Sequence, residues 1–190
     1  PITVEEIPGK LAFKKASFSA ALDCSSYPEI ARTGGFYLDK NGQEMLLPDI
    51  LSTAGIPAVR LRLWVNPQTG QSSLSEVKSF ASQLRQKGIK IWLSIHYSDT
   101  WADPGKQQTP AAWQDLTFEV LRDSMAAYTS RVAREVPAEV IQIGNEINDG
   151  LLHPQGQLSR YPEQTLALLE AGIEAVREYA SDAAIMIHYT

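Results

Sequence analysis

Several features that commit a protein to particular chemistries are missing or scarce in this sequence of 190 residues. Cys24 is the only cysteine, so the chain can form no internal disulfide, although this neither proves nor excludes export. No apolar run approaches the roughly 20 residues that a membrane helix needs. The net charge is −5 and basic residues do not cluster, which argues against nucleic acid and membranes as partners.

Motifs with a recognised mechanism are also absent. No glycine-rich phosphate loop follows a predicted strand, which weakens a nucleotide-binding interpretation. The three histidines show neither His-x-His nor His-x-x-x-His spacing, so the usual paired metal ligands are missing and we predict no metal site. The segment from Pro1 to Glu6 lacks the basic start and apolar middle of a signal peptide.

What the sequence does contain is a regular alternation of strand and helix patterns. We predict strands at residues 18–25, 58–64, 90–96, 140–144 and 184–189. We predict helices from the capping pair Ser73 and Glu76 to Gly88, around residues 121–132, after Pro162, and over residues 44–54. Such alternation implies parallel strands with helical crossovers, as in doubly wound sheets and in (β/α)8 barrels.

The positions of polar residues favour a (β/α)8 barrel over a doubly wound sheet. His96, Glu146 and His188 each lie at the C-terminal end of a different predicted strand, and a ring of chemistry gathered from many strand ends is the barrel arrangement. We therefore predict an α/β fold of the (β/α)8 TIM-barrel type, of which residues 1–190 supply roughly strands 1–5. We expect these residues to be the N-terminal part of one catalytic domain, because an open half barrel exposes two strand edges.

Two segments carry the candidate chemistry. A buried strand ends in Gly144-Asn145-Glu146, which places a carboxylic acid beside an amide as a sugar-cleaving site requires; the plain alternative is a solvated loop. The segment from His96 to Trp113 mixes aromatic, acidic, glycine and proline residues without periodicity, as a shaped binding loop does. Trp101 offers a flat face for a sugar ring, whereas Trp113 fits core packing better.

These segments resemble one family. HYSDTWADPGKQQTPAAW, VRLRLWVNP, QIGNEINDG, LDCS and GGFYLDKNGQEMLLPDIL are similar to motifs of glycoside hydrolase family 53, the arabinogalactan endo-β-1,4-galactanases. The resemblance spans about Phe18 to Tyr189. It implies a barrel that cleaves internal β-1,4 bonds of galactan with retention of configuration by double displacement.

The resemblance also implies roles for individual residues. Glu146 matches the acid/base, Asn145 would bind the sugar 2-hydroxyl, and Arg60 or Arg62 would orient the nucleophile; the alternative for either arginine is an interior ion pair with Asp23 or another carboxylate. The cleft would be lined by His96, Tyr97, Asp99, Trp101 and His188, with Asp23 at its floor. The family's nucleophile is a second Glu after the seventh strand, beyond Thr190, so we predict that residues 1–190 alone are inactive.

The same resemblance bears on cofactor, partner and location. It implies no required cofactor, and a calcium ion, where the family binds one, would sit in a later loop outside this chain. The expected partner is β-1,4-galactan, with the oligomeric state left open, and the expected location is extracellular, periplasmic or at the cell surface, because polymeric galactan does not cross membranes.

Three alternatives remain. The first is a metal-dependent barrel hydrolase that uses His96, Glu146 and His188, since imidazole and carboxylate suit zinc or manganese. The second is a non-catalytic, degenerate barrel that binds galactan. The third is a related clan A glycosidase acting on another β-glycan.

Overall fold

The computed structural model describes residues 20–190. In chain order the elements are β1 Leu22–Asp23, α1 Tyr27–Arg32, β2 Tyr37–Leu38, β3 Glu44–Met45, α2 Leu47–Thr53, β4 Ala58–Leu63, α3 Leu74–Gln86, β5 Lys90–Ile95, α4 Phe118–Glu135, β6 Val140–Ile143, α5 Pro162–Tyr179 and β7 Ala184–Ile187. A single 3-10 turn, Ala111–Trp113, precedes α4. No helix among residues 20–190 is long and apolar enough to cross a bilayer.

Five strands form one parallel sheet in the order β1-β4-β5-β6-β7. This confirms the predicted partial (β/α)8 arrangement, except that residues 18–19 of the first predicted strand lie outside the described residues. The register aligns Leu63, Ile95, Ile143 and Ile187 across four neighbouring strands. The residues that follow these four therefore meet at one edge of the sheet.

Alternation along the strands divides the side chains between two faces. Leu61, Leu93 and Ile141 are fully buried in the apolar core, which is shared with helices α3, α4 and α5. The intervening residues, such as Arg60 and Ser94, point to the opposite face, which would be the interior of the barrel. Polar side chains thus lie on the inner face of the sheet, and the opposite face packs in the apolar core.

Two local predictions need correction. The helix predicted over residues 44–54 begins only at Leu47, because Glu44–Met45 pairs with Tyr37–Leu38 as an antiparallel hairpin. At the start of α3, the backbone N–H of Glu76 donates to the Ser73 hydroxyl as the capping box predicts. The Glu76 carboxylate, however, accepts from the backbone N–H of Ser72 at 2.6 Å and not from that of Ser73.

Gly144, directly after β6, has a backbone that a side chain would disturb. Its φ is +77°, and a Cβ there would lie 2.5 Å from Cγ2 of the branched Ile147 side chain. We expect Gly144→Ala to lower the free energy of unfolding by about 2 kcal/mol in denaturant titrations. Gly70→Ala is the matched control, because Gly70 has the same φ of +77° and a Cβ there would meet no atom of residues 20–190 within 4 Å beyond its chain neighbours. Equal losses in the two variants would show that the contact with Ile147 has no effect.

Candidate active site

The inner face of the sheet is organised around the Arg60 guanidinium. Its Nη1 donates to Asp23 at 2.7 Å, and its Nη2 donates to Ser94 at 2.9 Å and to the Asn145 side-chain oxygen at 2.7 Å. One side chain on β4 therefore joins the end of β1, the C-terminal part of β5 and the residues beyond β6. The interior ion pair weighed for the arginines is confirmed for Arg60, with Asp23 as its partner.

Asp23 is ionised in this arrangement. Burial alone would raise its pKa, but hydrogen bonds from the Ser25 hydroxyl and backbone N–H, together with the Arg60 guanidinium, outweigh burial and hold the pKa below its ordinary value. The Ser25 hydroxyl donates to Asp23 at 2.6 Å and accepts from the backbone N–H of Arg62 at 2.8 Å. The end of β1 is thereby attached to β4 through side chains as well as backbone.

The Asn145 amide has a single orientation. Its Oδ1 accepts from Arg60 and, at 3.2 Å, from the Gln142 amide, while its Nδ2 donates to the carbonyl of Ala102 at 2.8 Å. Exchanging the oxygen and nitrogen would set N–H groups against the donors of Arg60 and Gln142. Within residues 20–190, Nδ2 makes this one hydrogen bond, and the contact of Asn145 with a sugar hydroxyl stays a prediction.

Glu146 has a fixed backbone and an uncommitted carboxyl. Its φ is +52°, a left-handed conformation that is costly for a side-chain-bearing residue and is typical of functional sites. Its backbone N–H donates to Nδ1 of His188 at 3.3 Å, and its carbonyl accepts from Gln107 at 3.2 Å. Within residues 20–190 its partly buried carboxyl makes no hydrogen bond or ion pair, so it is available to a ligand.

His188 supports this turn. Its Nδ1 lies 3.3 Å from the Glu146 nitrogen and 3.1 Å from Asn145 Oδ1. Because Asn145 Oδ1 already accepts two hydrogen bonds, we assign His188 Nδ1 as the acceptor of the Glu146 N–H, with the ring proton on Nε2.

Two glutamines that were not predicted from the sequence hold the site together. Gln107 is buried and its amide donates to the carbonyls of Asp103, Asn145 and Glu146, which ties the loop after β5 to the turn after β6. Gln142 donates to Asn145 and to the carbonyl of Gly144. A polar residue inside the apolar run of β6 was a signal for Gln142, whereas nothing local distinguishes Gln107.

Arg62 has surroundings unlike those of Arg60. Its guanidinium lies between the rings of Trp64 and Trp101, at 4.6 and 4.7 Å from their centroids, and its Nε donates to the Ser72 hydroxyl at 3.1 Å. Trp101 is 44% exposed, which fits the predicted surface for sugar stacking. Of the two arginines that the sequence left open, Arg60 therefore contacts Asn145, and Arg62 supports Trp101.

His96 lies beneath Trp101, not at the surface of the cleft. It is 1% exposed and packs edge-on against the Trp101 ring, with centroids 5.5 Å apart. Its Nδ1 accepts from the backbone N–H of Ala102 at 3.2 Å, so the neutral ring carries its proton on Nε2. Burial, and then the positive charges of Arg60 and Arg62, lower its pKa to about 3.

We expect the His96 ring in the folded protein to show no titration by NMR between pH 8 and about 4.5. The unfolded state binds this proton near the ordinary pKa of 6.5, whereas the folded state binds it only near 3. The free energy of unfolding should therefore fall as the pH drops from 6.5 towards 3. A titration midpoint near 6.5 in the folded protein would contradict this assignment.

Two other predicted cleft residues lie elsewhere. Tyr97 follows the end of β5 in a left-handed conformation with φ +50°. It is 1% exposed and its hydroxyl bonds Thr129 of α4 at 2.8 Å, so its prediction as a cleft residue is wrong. Asp99 accepts backbone N–H groups from Asn66 and Ala111, and it lines a cavity between two loops. The Asp99 carboxylate therefore joins these two loops through their backbone N–H groups.

The alternative of a metal-dependent hydrolase requires side chains that are grouped as metal ligands. Among residues 20–190, no three His, Cys, Asp or Glu side chains are grouped so that they could hold a metal ion. In particular, His96 is buried with its Nδ1 occupied, and His188 contacts Asn145 and Glu146 through its own Nδ1.

Comparison with known proteins agrees with this geometry. A probable arabinogalactan endo-β-1,4-galactanase A of Aspergillus terreus is 38% identical over 149 residues, which are 76% of this chain and 42% of the relative. The structure of a fungal β-1,4-galactanase aligns with a TM-score of 0.85 and 31% identity, over 90% of this chain and 53% of that one. The catalytic domain of an Ignisphaera aggregans family 53 protein aligns over all of this chain and 55% of its own, with a TM-score of 0.87 and 34% identity.

The chain thus spans about half the length of the relatives it matches. The family model described as Glycosyl hydrolase family 53 matches residues 20–190, the same residues that carry the strand ends and loops described above. The chain belongs to glycosyl hydrolase family 53.

Proposed function

We propose that the whole protein to which this chain contributes is a retaining endo-β-1,4-galactanase that cleaves galactan or type I arabinogalactan. The observation that carries the proposal is the Asn145–Glu146 pair, in which the amide is oriented by Arg60 and the carboxyl has no hydrogen-bond or ion-pair partner among residues 20–190. The names of relatives such as the Aspergillus terreus protein support the galactan substrate.

In this mechanism Glu146 acts twice. It first donates its proton to the glycosidic oxygen as the bond to the leaving chain breaks, and it then removes a proton from the water that attacks the sugar–enzyme intermediate. Asn145 offers an amide N–H to the hydroxyl beside the reacting carbon, and Trp101 stacks on a sugar ring of the chain.

The second carboxyl completes the reaction. A retaining enzyme places its nucleophile about 5–5.5 Å from the acid/base. We propose that a Glu after the seventh barrel strand, outside residues 1–190, supplies this group, and that Arg60 faces it from the inner side of the sheet. Residues 1–190 by themselves should then hydrolyse nothing. Because the substrate is a polymer, we also propose that the protein works outside the cell or in a periplasm.

The proposal is tested with the whole protein and with β-1,4-galactan. We expect a rapid fall in viscosity, as internal bonds break, and a first-formed product with the β configuration by NMR, as retention requires. β-1,4-glucan and β-1,4-mannan serve as matched substrates. Binding of galactan without new reducing ends would favour the degenerate barrel, and faster turnover of glucan or mannan would favour the related clan A glycosidase.

A further inference from the structure

Among residues 20–190, three buried side-chain atoms have no hydrogen-bond partner: Nε1 of Trp64, the hydroxyl of Ser98 and Nε2 of His96. Trp64 is 8% exposed, and Ser98 and His96 are each 1% exposed. A buried donor left without a partner costs free energy, so such groups indicate a place where a ligand or water completes the structure.

Trp64 and Ser98 line the same cavity. It has a volume of about 480 Å³ and lies between the loop after β4 and the loop after β5. Pockets that bind small molecules have volumes of roughly 300–1,000 Å³, so this one accommodates a sugar ring. Its walls also include the amides of Gln71, Gln108 and Gln114.

The walls of the cavity are tied together without a ligand. The two carboxylate oxygens of Asp99 accept from the backbone of Asn66 on one loop and of Ala111 on the other, at 3.0 and 2.8 Å. The backbone N–H of Val65 donates to the carbonyl of Ser98 at 2.9 Å, which joins the same two loops a second time. A cavity held open in this way demands little reorganisation from a ligand.

The chemistry of the lining selects an uncharged ligand with hydroxyl groups. The indole N–H of Trp64 only donates, so the ligand must offer an acceptor, which excludes a bare cation. Among the described residues that line the cavity, Asp99 alone is charged, and its negative charge opposes anionic ligands. A hydroxyl both donates and accepts, and it therefore satisfies Trp64, Ser98 and the glutamine amides alike.

The cavity adjoins the face that we assign to polysaccharide. The Trp64 ring, which lines the cavity, packs on one side of the Arg62 guanidinium, and the exposed Trp101 ring packs on the other. We propose that this cavity is a secondary subsite that takes one uncharged sugar ring of the polysaccharide, with Trp64 and Ser98 as its hydrogen-bonding groups. The proposal rests on the proposed function, because that function supplies the sugar polymer.

The test uses the whole protein with Glu146→Gln, labelled with nitrogen-15 and titrated with β-1,4-galactotetraose. Trp64→Phe identifies the Trp64 indole N–H resonance. Ala111→Trp blocks the cavity from its exposed rim, and Ala112→Trp, at the exposed neighbouring position outside the lining, is the matched control. We expect a saturable shift of the Trp64 N–H that persists with Ala112→Trp and disappears with Ala111→Trp, together with at least about fivefold weaker binding in the latter.

Two results would overturn the subsite. One is an unmoved Trp64 resonance while the Trp101 resonance shifts, which would mean that the cavity holds only water. The other is a Trp64 shift that is the same in both tryptophan variants, since the signal would then come from the cleft. Galactan hydrolysis by the protein without the Glu146 change is measured alongside, so failure of the proposed function is recognised separately by the absence of new reducing ends.

Discussion

Glu146→Gln in the whole protein should reduce kcat on β-1,4-galactan by about 10³-fold, within the range that general acid–base catalysis contributes. Glutamine keeps the shape of the side chain but can neither give a proton to the leaving oxygen nor take one from water. Since the Glu146 carboxyl has no hydrogen-bond or ion-pair partner within residues 20–190, the exchange should leave the free energy of unfolding nearly unchanged.

Initial rates of reducing-end release, compared with those of the Glu170→Gln variant, provide the measurement. Glu170 is exposed on α5, so this control makes the same chemical change away from the inner face of the sheet. An aryl galactobioside with a highly acidic phenol adds a second readout, because such a leaving group departs without a proton and its release should be slowed far less. Full turnover of galactan by Glu146→Gln would refute the assignment of the acid/base.

Arg60→Lys should lower kcat on galactan on the order of 10²-fold. A lysine ammonium is a single point of charge and cannot hold Asp23, Ser94 and Asn145 at once, as the planar guanidinium does. Asn145 then loses the donor that orients its amide. We expect a cost of about 1–2 kcal/mol in the free energy of unfolding, a modest value because the Asp23 side chain is 45% exposed and solvent screens the pair.

Arg62→Lys is the matched comparison, since it makes the same exchange on the same face of the same strand. Arg62 packs between Trp64 and Trp101 and makes no hydrogen bond to Asn145, so its loss should raise KM through a looser Trp101 and change kcat less. Steady-state kinetics on galactan separate the two effects. Equal falls in kcat for both variants would contradict the distinct roles assigned to the two arginines.

The stability effect of Arg60→Lys should also depend on pH. The pKa of Asp23 is lowered in the folded protein, so its contribution to stability is fully present above the ordinary value of 3.8 and is lost as the pH falls through the folded value. Chemical unfolding of both proteins at pH 7 and below pH 3.8 provides the check. A difference in unfolding free energy that stays constant across this range would mean that it does not come from the ion pair.

The sequence alone determined the order and type of the main elements. Helical and strand periods, the Ser73 cap and the breaks at Gly88 and Gly144 are local signals, and the structure follows them in β4, β5, β6 and their helices. Parallel strands bring their C-terminal ends to one edge, so the meeting of Glu146 and His188 there was also predictable from strand order. The family resemblance carried by the loop after β5 identified the chemistry.

Tertiary structure alone decided which side chains contact one another. Arg60 and Arg62 lie two residues apart on one strand face, yet one bonds Asn145 and the other packs between tryptophans, because register and loop path set their partners. The hydrogen bond from Gln107 to the Asn145 carbonyl and the cavity at Trp64 depend in the same way on residues distant in sequence. Periodicity indicates the face on which a residue lies. Contacts between residues distant in sequence form only when the strands are assembled, as the bonds from Arg60 to Ser94 and Asn145, 34 and 85 residues away, show.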